Sequence, residues 1–338
     1  MVRRKTLLRE PLPAPQRLAY NLRTAGFLHV LWRPINRYVV ELLDVWFKME
    51  NHAMLRRFQL ALFLCGLSPL WIYSPARGEE VPSAETRTAQ VLKTKSGIRY
   101  GIWPQKPDKP APTLFIFGGS IEETLNSPYF RQSGNQLEKH GYLCVGIDLP
   151  GHGTEIRAGE PAGIDAWSVR CGKDEDFVAQ ATERFRAVLD ELIELKLSDP
   201  ARVAVCGTSR GGFMAVQFAA SDERIKCVAA FAPVTDLMSL REFHGLKKRE
   251  LAERLSLKPQ AEKLAGRAVW LMIGDVDDRV STDESIAFCR AVTSASRKQN
   301  KASLVDLHVV SEPKGHTTPT GAAELAATWI ERQLGTAK

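Results

Sequence analysis

Gly207, Thr208, Ser209, Arg210 and Gly211 stand between an apolar run at 203–206 and a segment at 212–220 whose apolar residues recur with helical spacing. Such a chain must pass from strand to helix within a five-residue turn. Neither glycine carries a Cβ, so the turn can be sharp and can hold the Ser209 hydroxyl exposed above a sheet. A serine held this way is placed to act as a nucleophile, and the rest of the sequence is read for groups that would serve it.

Further apolar runs at 113–117, 143–148, 227–231, 269–273 and 304–310 are short and continuous rather than alternating, as in strands covered on both faces. Helical stretches at 128–140, 174–197, 212–220, 282–295 and 322–334 separate them. This alternation predicts an α/β fold: a doubly wound, mostly parallel sheet with helices on both faces. Ahead of it, runs at 91–95 and 98–103 flank Ser96 and Gly97, a hairpin signal. Residues 236–260, with Arg241, Lys247, Lys248 and Arg249, read as a small charged helical insertion, either a cap over a site or a solvated surface helix.

The formal charge of +7 is unevenly placed. Residues 1–57 hold 11 of the 46 Lys and Arg but 4 of the 39 Asp and Glu, leaving 35 of each in the remainder. A neutral body offers no basic face for nucleic acid. Residues 1–53 form a basic extension. Arg56 and Arg57, an apolar run and the small residues Ser74 and Ala76 then give the three-part layout of a secretory signal peptide over 54–78. The run falls short of the roughly 20 apolar residues of a membrane span, and Pro69 interrupts it. The expectation is a secreted or periplasmic protein starting at Met49 or Met54, with 79–90 as a linker. A membrane anchor formed by the same segment, or an N-terminal arm packed on the body, is the alternative. Cys144, Cys206 and Cys227 lie inside apolar runs, where free thiols behave as small hydrophobes. No Cys-x-x-Cys or other metal-ligand spacing occurs, so neither cofactor nor metal is expected.

A serine nucleophile needs a base, and the base needs an acid to orient it. In a doubly wound sheet both belong on loops at the carboxyl ends of later strands. The run at 269–273 leads into Gly274, Asp275, Val276, Asp277, Asp278, Arg279 and Val280, and the run at 304–310 into a loop ending at His316. Position favours His316 over the other histidines. His308 lies within a strand, His140 and His244 in helical stretches, His152 in a separate loop, and His29 and His52 ahead of the domain.

The order Ser, Asp, His resembles that of the α/β-hydrolase fold, and the spacing of Gly274, Asp277 and Val280 is similar to that of prolyl oligopeptidase and dienelactone hydrolase relatives. The resemblance implies an α/β-hydrolase domain over 91–338, with Ser209 as nucleophile, Asp277 as acid and His316 as base. Asp275 and Asp278 remain as alternatives for the acid. It also implies an oxyanion hole formed by the amide of Arg210 and by the loop of Gly118, Gly119 and Ser120. Gly119 is the donor assigned in that loop, with Ser120 left open beside it, and Phe117 stands where relatives often have histidine. Asp148, Gly151 and Gly153 match a loop that shapes the fold, with His152 structural within it, and residues 232–236 match a loop bordering the pocket. The side chain of Arg210 is left between pocket and solvent.

Taken together, the resemblance implies a serine hydrolase that acts on a small-molecule carboxylic ester through an acyl-enzyme, without a cofactor. A peptidase acting on short peptides is the first alternative; residues before 90 do not suggest the extra domain that large peptidases of this kind carry. A catalytically silent binding module is the second.

Overall fold

The computed structural model describes residues 88–335. The basic extension 1–53, the signal segment 54–78 and most of the linker 79–90 lie outside the described residues. Eight strands are present among the described residues: β1 (Gln90–Lys93), β2 (Arg99–Trp103), β3 (Ala111–Phe117), β4 (Leu143–Gly146), β5 (Ser198–Thr208), β6 (Ile225–Phe231), β7 (Ala268–Gly274) and β8 (Leu304–Val310). They form a sheet in the order β1-β2-β4-β3-β5-β6-β7-β8. β1 pairs antiparallel with β2 and β2 with β4, while β4, β3, β5, β6, β7 and β8 run parallel. The doubly wound, mostly parallel α/β architecture expected from the sequence is the observed one.

Nine α-helices accompany the sheet among the described residues: α1 (Ile121–Asn126), α2 (Pro128–Arg131), α3 (Gly134–Leu137), α4 (Ile164–Gly172), α5 (Phe177–Glu194), α6 (Arg210–Ser221), α7 (Glu250–Leu255), α8 (Thr282–Lys298) and α9 (Ala322–Leu334). Successive strand residues point to opposite faces, so the central strands feed two cores. Phe115, Phe117, Val203, Val205 and Leu271 pack with Phe185 of α5, Phe213 and Phe218 of α6 and Phe288 of α8. Leu114, Ile116, Cys206 and Trp270 pack with Leu125 of α1, Leu137 of α3 and Trp329 of α9. Phe117 stacks on Phe185 at 4.6 Å between centroids, which seats the end of β3 against α5. Cys144, Cys206 and Cys227 are buried and free within strands, and burial pushes the Cys144 thiol up to about 12.

Several boundaries differ from the sequence reading for local reasons. The stretch at 128–140 is not one helix: the chain breaks at Gln132, at φ 48° and ψ −126°, separating α2 from α3. α5 is shorter than 174–197 because Asp176 caps it, accepting from the Ala179 amide at 2.8 Å, while Asp174 and Lys196 adopt positive φ beyond its two ends. α1 and α4 were not anticipated. β8 is an edge strand with exposed and half-buried residues in place of the doubly buried run expected. The insertion at 236–260 folds as short 3-10 turns and α7, and buries Leu237, Leu240, Phe243, Leu251 and Leu255 in the main core while its lysines face outward.

The closest backbone approach explains the two glycines of the serine turn. A Cβ on Gly211 would lie 1.8 Å from the Phe117 carbonyl oxygen, and one on Gly207 would lie 2.4 Å from the carbonyl carbon of Gly211. Gly245 has nothing within 4 Å and no positive φ. Gly211→Ala should therefore destabilise the fold by about 3 kcal/mol or more, whereas Gly245→Ala should stay within about 1 kcal/mol of the parent. Urea unfolding midpoints of the two variants check both.

Candidate active site

Ser209 sits at the junction of β5 and α6 with φ 54° and ψ −115°. This is a conformation that L-residues rarely adopt, and surrounding bonds hold it. The Ser209 amide donates to the Phe231 carbonyl at 2.9 Å, and the Ser209 carbonyl accepts from the amides of Phe213 and Val234 at 3.1 Å each. The loop after β6, with Ala232 at φ 39°, is thereby bound to the serine turn.

The structure brings Ser209, His316 and Asp277 together. His316 Nε2 lies 3.0 Å from Ser209 Oγ, and His316 Nδ1 lies 2.8 Å from Asp277 Oδ2. Asp277 is 2% exposed, and its other oxygen accepts from the amides of Arg279 and Val280 at 3.1 and 3.2 Å. Those bonds fix the carboxylate and leave one oxygen for the imidazole. The neighbouring carboxylates do other things. Asp275 is exposed and accepts from the Glu312 amide at 3.0 Å, pinning the entry to the His316 loop, and Asp278 is exposed. Glu242, from the 236–260 insertion, accepts from Arg279 at 2.7 Å and so ties that insertion to the Asp277 loop.

The two candidate donors of the Gly118 to Ser120 loop have different surroundings. The Gly119 amide is engaged with Thr124 Oγ1 at 3.2 Å, whereas the amides of Ser120 and Arg210 have no acceptor among the described residues. Gly119 instead makes room: a Cβ there would fall 1.9 Å from Glu123 Oε2. Glu123 accepts from Arg210 Nη2 at 3.0 Å, and the Arg210 guanidinium lies 5.8 Å from the centre of the Phe130 ring. Arg210 is thus a partly buried link between the serine turn and α1. Its Nε is buried without a partner among the described residues.

Asp148 holds the other side of the loop. It is buried and accepts from the Ile121 amide at 2.8 Å, Thr154 Oγ1 at 2.7 Å, the Thr154 amide at 3.1 Å and Arg99 Nη1 at 2.9 Å. A Cβ on Gly153 would come within 2.4 Å of Asp148 Oδ1, which explains that glycine. Among the described residues no three His, Cys, Asp or Glu side chains gather where they could hold a metal ion.

The model of the prolyl oligopeptidase family matches residues 137–335, more than half of the chain and a span that includes Ser209, Asp277 and His316. The chain belongs to this family. It is similar to the hydrolyase poxO of Penicillium oxalicum, at 33% identity over 147 residues that make up 43% of this chain and 32% of that protein. The chain thus matches about a third of the length of that curated relative. Among solved structures it resembles a puromycin-hydrolyzing peptidase of Mycobacterium tuberculosis, with TM-score 0.54, 16% identity, and 76% of this chain and 42% of that one covered. It also resembles a cold-adapted esterase from an Arctic intertidal metagenomic library, with TM-score 0.53, 18% identity, and coverage of 73% and 93%. These likenesses establish the α/β-hydrolase fold.

Glu123 and Gln132 carried no sequence signal; Glu123 was legible only as part of an unrecognised short helix. His152 is half-buried and donates from Nδ1 to the Pro150 carbonyl at 3.0 Å. Burial, reinforced by the Arg210 charge, holds its pKa below the ordinary 6.5. The folded protein therefore binds fewer protons at this residue than the unfolded chain. The associated stability is complete above the unfolded value and is lost as pH falls through the lower folded one. His152→Gln should shrink the drop in urea midpoint between pH 7.5 and pH 5, measured against the parent chain.

Proposed function

We propose that this protein is a serine hydrolase that cleaves a carboxylic ester through an acyl-enzyme. The observation that supports it most directly is the continuous hydrogen-bond chain from Ser209 through His316 to Asp277. In this reading His316 Nε2 takes the Ser209 proton as Oγ attacks the ester carbonyl. Asp277 keeps the other imidazole proton on Nδ1 and stabilises the imidazolium that forms. The developing oxyanion accepts from the Arg210 amide and from the Gly118 to Ser120 loop, where the Ser120 N–H has no acceptor among the described residues. His316 then returns its proton to the departing alkoxide. Water, deprotonated by the same imidazole, releases the acid and restores Ser209.

Esters come first because a site able to acylate its serine from an amide can also do so from a more reactive activated ester. The family assignment supports a second reading, in which peptide amides are cleaved as well. Export by the segment at 54–78 belongs to the same proposal and rests on the sequence layout.

Ser209→Ala should lower kcat on nitrophenyl acetate by roughly four to six orders of magnitude and abolish labelling by a fluorophosphonate probe, with an unchanged circular dichroism spectrum. Retention of most activity would remove Ser209 from the mechanism. Parallel assays on nitrophenyl acyl esters and on aminoacyl and prolyl nitroanilides separate the two readings. The ester reading expects no nitroanilide turnover above the Ser209→Ala background, whereas Ser209-dependent cleavage of a nitroanilide supports the second reading.

A further inference from the structure

Gln132 shares an unusual backbone conformation with Ser209: φ 48°, ψ −126° against φ 54°, ψ −115°. At Ser209 the turn between β5 and α6 accounts for it. At Gln132 no such turn is present: its neighbours are Arg131 and Ser133, and the nearest glycine, Gly134, falls two residues later at the start of α3 with no positive φ. A side chain in such a conformation persists where its surroundings over-determine it, so the contacts of Gln132 are the place to look.

The side chain is 4% exposed. Its Nε2 donates one N–H to the Tyr129 carbonyl, and the other is shared between Thr208 Oγ1 at 3.1 Å and Thr318 Oγ1 at 3.3 Å. Because a backbone carbonyl can only accept, the Tyr129 contact fixes the nitrogen on this side of the amide. Thr208 directly precedes Ser209, and Thr318 follows His316 by two residues. The two hydroxyls lie 3.5 Å apart, so Gln132 bridges the end of the nucleophile strand and the histidine loop. Next to it, Ser133 Oγ donates to the Ala323 carbonyl at 2.8 Å, in the first turn of α9.

The histidine loop has few other tethers. Its entry is held by Asp275 through the Glu312 amide, and His316 itself by Asp277. Beyond His316, the side-chain bonds that reach the loop from elsewhere in the described residues are those of Gln132 and Thr208 to Thr318.

We propose that Gln132 is a positioning residue that sets the distance between Ser209 and His316. It does so by clamping Thr318, on the histidine loop, to Thr208, on the nucleophile strand. The inference rests on the serine-nucleophile reading. Loss of the clamp frees the loop on the exit side of His316, and a misplacement of about 1 Å in a proton-transfer pair lowers rate by about a hundredfold.

The test uses the full chain with Gln132→Gly, Gln132→Glu and Thr318→Val. Glycine accepts the backbone conformation, so it removes the side chain while relieving strain. Glutamate keeps the shape but, when ionised, cannot donate. Valine removes the acceptor from the opposite loop without touching residue 132. Each should lower kcat on nitrophenyl acetate and the rate of fluorophosphonate labelling by about ten- to a hundredfold, with KM within about threefold of the parent. The Gln132→Gly and Thr318→Val losses should fail to add in the double variant, because both break one link.

A purely structural role would shift the unfolding midpoint and leave the labelling rate of folded molecules unchanged. Parent-like labelling in folded Gln132→Gly, full additivity with Thr318→Val, or a rise in KM at constant kcat each overturns the proposal. If the parent chain itself is not labelled at Ser209, the underlying serine-nucleophile reading fails instead. The two failures are therefore distinguishable.

Discussion

The contact on which the site depends is between two backbones. The start of α6 lies so close to the end of β3 that the Phe117 carbonyl oxygen occupies the space a Gly211 side chain would need. This approach puts the serine turn and the Gly118 to Ser120 loop beside each other before any catalytic side chain is considered. It also leaves Ser209 little choice of conformation: the turn is short, its flanking glycines are packed, and its carbonyl is claimed by both Phe213 and Val234. Backbone strain at Ser209 is sustained by the sheet on one side and the helix on the other.

A second set of bonds brings the antiparallel edge into the site. Burying a carboxylate is costly unless its oxygens are hydrogen-bonded or paired with a charge, and Asp148 has both kinds of partner. The Ile121 amide orients the first turn after the Gly118 to Ser120 loop, and Arg99 reaches in from β2 to complete the set. Arg99 also donates to Glu122 at 2.7 Å, on the same short helix. The hairpin ahead of the parallel sheet therefore does more than extend it: one of its side chains braces the loop that faces the nucleophile. From the other side, Arg210 and Glu123 tie that helix to the serine turn.

The parts legible in the sequence were those that repeat a simple rule. Doubly buried strands are continuous apolar runs, and candidate reactive groups sit on loops at their carboxyl ends, so Ser209, His316 and the loop of 274–280 follow from order and spacing. Separating Asp277 from Asp275 and Asp278 required the resemblance to a known family, and the structure gives the physical reason: only Asp277 turns inward to two amides and a histidine, while its neighbours face solvent. What could not be read depends on tertiary partners. The break falls at Gln132 and not at the nearby Gly134, and the Gln132 side chain meets Thr208 and Thr318, which are 110 residues apart. The surroundings of the Gly119 amide could not be read either, because its contact with Thr124 Oγ1 is visible only once α1 is folded. β8 was read as an inner strand from its five apolar residues, although Asp306 and His308, two positions apart on one face, already mark a strand that is solvated on that side.

The three residues at the centre are held with unequal firmness, and the inequality suits the chemistry proposed for them. Ser209 is fixed by the backbone of a core strand and helix, and Asp277 by two amides in a buried turn. His316 is reached mainly through side chains, its own being 28% exposed at the mouth of the site. A nucleophile and an orienting acid each have one position to keep. The base has two partners in turn, first the serine hydroxyl and then the leaving oxygen or the attacking water, while its Nδ1 stays on the same carboxylate. A loop pinned at Asp275 and Asp277 on one side and clasped through Thr318 on the other keeps Nδ1 on its carboxylate and leaves Nε2 to face its reaction partners. Holding His316 by backbone as firmly as Ser209 would favour one of those partners at the expense of the other.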